Sequence, residues 1–102
     1  MTNRILPDDP AEAVKIMIEI TGLMMSVMEQ EAHCIRLQSE EGMKETEILK
    51  EKIIPEYQQA AQEFSQRAVE FKAVDPSLLD ELQEIQSALG AVARENQFYL
   101  VS

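Results

Sequence analysis

Residues 78–99 read LLDELQEIQSALGAVARENQFY, and the spacing within this stretch decides the fold. Leu78, Leu82, Ile85, Leu89, Val92, Asn96 and Tyr99 follow one another in alternating steps of four and three. That spacing holds side chains on one seam of a long helix. Asp75-Pro76 opens the segment, a capping residue followed by a proline at the first helical position, and the helix is predicted to run to about Leu100. Asn96 is the one polar interruption. A helix of this kind lies against other helices, and nothing along it has the makings of chemistry. The question it poses is whether its partners belong to the same chain.

Upstream, two more helices are predicted. Asp9-Pro10 starts the first by the same cap-and-proline rule, with Glu12 near its positive end. Val14, Met17, Thr21, Met24, Met28, Ala32 and Ile35 form a heptad-like track, and Ala13, Ile16, Ile20, Leu23, Val27 and Cys34 lie beside it. The first half is therefore apolar over more than one stripe. The helix should fade between Gln38 and Gly42, with Gly42 at the C-cap or reversal. The second helix is predicted from about Met43 to Ala73, with Thr46, Leu49, Ile53, Tyr57, Ala60, Phe64, Ala68 and Phe71 stepping by threes and fours. Pro55 interrupts it, and an interior proline removes a backbone bond and crowds the preceding turn at a cost of about 3 kcal/mol. The apolar phase carries through without a slip, which favours one kinked helix over two short ones.

These patterns give an all-α fold of three long antiparallel helices, up-down-up, in an elongated bundle or coiled-coil-like rod. At 1.5 Å per residue its helices span roughly 40 Å. Residues 1–9 lack periodicity and read as a flexible arm. Residues 10–102 read as one domain, the size a single core supports.

Composition narrows the function. Nine basic and nineteen acidic residues leave a formal net charge of −10, which repels nucleic acid and anionic membrane surfaces. The apolar run from Ala13 to Met28 falls short of the ~20 residues a membrane span needs and carries Lys15 and Glu19, so a buried or interface helix is expected. Cys34 is the only cysteine and cannot form an internal disulfide, in keeping with a reducing cytoplasm. Asp8 and Asp9 stand where a secretory signal needs apolar residues, so no export signal is expected.

Reactive constellations are sparse. Glu29 and His33 stand at i, i+4, a spacing that can clamp a metal, yet two ligands do not close a zinc site and no second histidine or cysteine exists. A surface histidine and a core-edge cysteine are the plainer reading. Carboxylate pairs such as Glu40/Glu41 and Glu45/Glu47 sit in polar stretches and read as solvated faces. No serine has a histidine at workable spacing and no glycine loop cradles phosphate. No catalytic residue, metal or cofactor is expected. Methionine is concentrated at Met17, Met24, Met25 and Met28, with Met43 beyond the turn. Such side chains fill irregular cores or adapt to more than one apolar partner. Asn96 likewise has two readings: a buried amide that sets register or partner choice, or a polar group facing water near the chain end.

Several stretches together resemble the FlgN-like family of flagellar secretion chaperones, in a short alphaproteobacterial form. They are Met28-Glu29-Gln30-Glu31 closing an apolar helix, the reversal at Ser39 to Gly42, and Leu49 and Lys52 followed by Ile53 and Tyr57. The Leu78–Leu89 track and a terminal Glu95-Asn96 followed by apolar residues complete the set. Pro55 and the apolar density of the first helix depart from the family pattern. The resemblance implies a cytoplasmic, non-enzymatic chaperone. Its partners would be the helical terminal segments of flagellar hook-associated (hook-filament junction) proteins and the export gate. The expected partner-binding residues are Met24, Met28, Leu82, Ile85, Leu89, Val92, Asn96 and Tyr99. A self-associating structural module, a homodimer through the same seam, is the alternative reading.

Overall fold

The computed structural model describes residues 4–101, with side chains over 4–97. Three long helices pack against each other: α1 (Pro10–Leu37), α2 (Glu40–Gln66) and α3 (Pro76–Val101), with a 3-10 helix (Ala68–Ala73) before the last. Both α2 and α3 pack chiefly on α1, which is the spine of the molecule. The radius of gyration is 15.2 Å, above the ~13 Å of a compact chain this long. The all-α class read from the sequence holds.

The helix starts follow their predicted chemistry. Asp9 caps α1 by accepting the Glu12 amide at 2.9 Å, with Pro10 behind it where no donor is wasted. At the head of α3, the Asp75 carboxylate accepts the Ser77 backbone N–H and hydroxyl, each at 3.0 Å. Those two donors hold its carboxyl below the usual range.

The first reversal differs from expectation. It is made by Gln38, left-handed at φ 54°, whose N–H returns to the Ile35 carbonyl, and by Ser39, which caps α2 by accepting the Gly42 N–H at 3.1 Å. Gly42 lies inside the first turn of α2 and caps nothing. A Cβ there would stand 2.6 Å from Cys34 Sγ and 3.0 Å from Ser39 Oγ. The glycine is needed for the close approach of α2 to the end of α1.

α2 runs through Pro55, whose ring is exposed, but ends at Gln66 rather than at Ala73. In a continuous α-helix Phe64 and Phe71 would lie about 10 Å apart along the axis. The break in the α-helix at Arg67 (φ −109°, ψ 20°) redirects the chain, and the two rings stack with centroids 4.1 Å apart and planes at 10°. Arg67 lies over the Phe71 ring at 5.4 Å. Burial of Phe71 and Val74 is what the altered path achieves.

Residues 4–9 are docked rather than loose. Leu6 is 2% exposed, in one cluster with Ala13, Val14, Met17, Ile20, Ala60, Phe71, Val74 and Leu82. The Ile5 and Leu6 amides donate to the Glu63 carboxylate at 3.0–3.1 Å, and the Arg67 guanidinium donates to the Pro7 and Asp8 carbonyls at 2.7 and 2.8 Å. The missing periodicity hid a segment held by its backbone, a bond pattern that leaves no trace in side-chain spacing. A second cluster of Met24, Met28 and Leu89, with Met25, Ile53, Ile54, Tyr57 and Val92 around it, fills the other part of the bundle.

Candidate functional site

The seam of α3 is covered by the chain itself. Leu82 and Leu89 are buried in the two clusters, while Leu78, Ile85 and Val92 are half-buried against them. Met24 and Met28, expected as adaptable contacts, fill the core between α1 and Leu89. Ile85 packs over Gly22 of α1, where a Cβ would fall 3.6 Å from Ile85 Cδ1, an ordinary van der Waals contact. Tyr99 and the apolar residues beside it lie outside the described side chains. Of the remaining expected contacts, Met24, Met28, Leu82, Leu89 and Asn96 are buried within the chain in this structure, and Ile85 and Val92 are half-buried.

Asn96 decides between the two accounts of the seam, and it is buried at 2% exposure. Its Nδ2 donates to the Met28 carbonyl at 2.8 Å and to Glu31 Oε1 at 3.0 Å. The second Glu31 oxygen accepts from Lys50 Nζ at 2.9 Å. One residue from each long helix thus meets in a polar chain, Lys50–Glu31–Asn96, within the apolar packing. Glu31 is 4% exposed, so its charge depends on these two donors. Asn96 Oδ1 has no hydrogen-bond partner among the described residues. The sequence signal was present for Glu31, a carboxylate three residues after Met28 on the core-facing phase of α1. Lys50 carried none, since lysine beside glutamate on a helix reads as solvated surface.

The surplus apolar face of α1 emerges elsewhere. Leu23, Ser26, Val27 and Gln30 of α1 face Leu49, Lys52, Ile53 and Glu56 of α2 across an open cleft of about 270 Å³. Leu23 is 56% and Leu49 39% exposed, although both lie in mid-helix. The cleft floor is almost wholly aliphatic and its polar groups stand at the edge. Beyond it, exposed Glu19 precedes Leu23 by one turn and exposed Glu45 precedes Leu49 by one turn. The sequence placed Leu23 within the apolar run and Leu49 on the predicted seam of α2, but periodicity does not say which flank a neighbouring helix leaves bare.

His33 is exposed, and Cys34 is half-buried beneath Gly42. No group of three His, Cys, Asp or Glu side chains that could hold a metal occurs among the described residues. Among those residues no helix is long and apolar enough to cross a membrane. The cleft offers an aliphatic surface flanked by the charged side chains of Lys52 and Glu56. Comparison of the chain with known protein families, with curated proteins and with solved structures gives no match.

Proposed function

We propose that this chain is a non-catalytic binding protein that takes an amphipathic helical segment of another protein into the cleft between α1 and α2. One observation carries the reading: Leu23 and Leu49 stand exposed in mid-helix on facing elements, with Val27 and Ile53 between them. Two parallel rows of aliphatic side chains accept anchors spaced i, i+3, i+4 and i+7 on a third helix. In its biological form this is the export chaperone implied by the resemblance to the FlgN-like family. The protein holds helical terminal segments of hook-filament junction proteins in the cytoplasm, keeps them from assembling early, and hands them to the export gate. The reading takes the three helices as an antiparallel up-down-up bundle whose second helix bends at Pro55, beside Ile53 and Glu56 of the cleft. The binding surface moves from the α3 seam to α1 and α2, since the seam is occupied.

The test uses fluorescently labelled terminal helices of hook-filament junction proteins and anisotropy. Saturable micromolar binding is expected, weakened at least about tenfold by Leu23→Gln with Leu49→Gln, the loss of two aliphatic anchors. Far-UV circular dichroism of the double variant should match the parent, because both side chains are exposed. Undiminished binding by the double variant overturns the cleft as the site. An absence of binding together with a cleft-dependent dimer in sedimentation replaces the reading with self-association.

A further inference from the structure

We infer that the occupant of the α1–α2 cleft is a basic amphipathic helix, its apolar stripe flanked by lysine or arginine; this rests on the binding role proposed above. The floor fixes only that the partner is apolar and helical. The edge says more. Glu56 lines the cleft, Glu19 stands one turn before Leu23, Glu45 one turn before Leu49, and Lys52 is the one cation among the lining residues. Within the lining Lys52 and Glu56 balance, and the acidic surplus comes from exposed Glu19 and Glu45, each one helical turn beyond it on the same stripe, on a chain of net charge −10. An acidic partner helix would lay its carboxylates along this edge, and like charges juxtaposed at a rim oppose docking. A second copy of this chain brings the same acidic surface to the contact, so the charge that selects a basic partner also disfavours the homodimer.

Rim charges act mainly through encounter and selection, and they are screened over about 10 Å at 0.1 M salt. The experiment therefore compares two labelled model helices with an identical leucine stripe, one flanked by lysines and one by glutamates. At 0.05 M NaCl the lysine peptide should bind about tenfold more tightly, as a few rim pairs provide, and the advantage should shrink severalfold at 0.5 M. Glu19→Gln with Glu56→Gln should narrow the gap at low salt and leave the high-salt affinity in place. Equal binding of the two peptides at low salt overturns the charge inference while leaving helix binding intact. Failure of both peptides to bind overturns the binding role itself, and the inference with it. A free chain that sediments as a dimer, and becomes monomeric on Leu23→Gln with Leu49→Gln, makes a second copy the occupant and overturns the proposal.

Discussion

At the scale of single residues, the molecule places its most expensive group where all three long helices meet. A buried carboxylate is tolerable only while its donors remain, and Glu31 has Lys50 on one oxygen and Asn96 on the other. Asn96 also bonds the Met28 carbonyl, so its amide ties the end of α3 to the backbone of α1. Its own Oδ1 has no partner among the described residues, and a buried acceptor left so loses about 1–3 kcal/mol relative to a satisfied one. That expenditure makes sense as specificity, since α3 shifted by one step would strand both the amide and Glu31. Asn96→Asp should be severe, because it sets an oxygen against Glu31 Oε1 where a donor now stands 3.0 Å away. The variant should lose roughly 3 kcal/mol at pH 7 in urea denaturation. An unchanged urea midpoint would show that the Asn96 amide does not sustain the buried carboxylate.

Among the elements, the N-terminal arm departs furthest from its sequence pattern. Glu63 holds it by accepting the amides of Ile5 and Leu6. Partial desolvation pulls this carboxyl upward, but those amides, the Gln59 side chain and the nearby Arg4 charge outweigh it and hold it below its ordinary value. A lowered folded pKa means stability that is present above the unfolded value and lost as pH falls through the folded one. The arm should therefore stay docked through the neutral and mildly acidic range and release in stronger acid. Glu63→Ala should release it at neutral pH. Amide hydrogen exchange at Ile5 and Leu6 reads both effects, and protection that survives in Glu63→Ala at pH 7 would show that Leu6 burial alone holds the arm. The elements the sequence made legible are those set by side-chain periodicity and local caps: Asp9-Pro10, Asp75-Pro76 and the α3 track. Those it left obscure depend on distant partners, as the 3-10 helix depends on Phe64 meeting Phe71 and the Gly42 position on Cys34 passing beneath it.

For the whole molecule, the seam is the core that holds α3 to α1. Leu89 is 7% exposed between Met24 and Met28, so Leu89→Asp buries an unpaired charge. A penalty of about 3–5 kcal/mol is a large share of the stability of a domain this size. Most of the far-UV helical signal should be lost, whereas Leu49→Asp, at an exposed position, should retain it. A Leu89→Asp chain that keeps full helicity would return the seam to the status of an open surface. The spacing from Leu78 to Asn96 correctly announced a buried stripe, but a stripe of this kind is the same whether the covering helix is native or foreign. What separated the cases was the fate of one amide. The docked arm carries a last consequence, for synthesis on the ribosome. Leu6 is synthesised well before the residues that complete its socket, Ala60, Phe71, Val74 and Leu82. At bacterial and eukaryotic elongation rates the interval is about 4–15 s. Through that time the apolar faces of Leu6, Val14 and Met17 lack the cover that Leu82 of α3 later supplies.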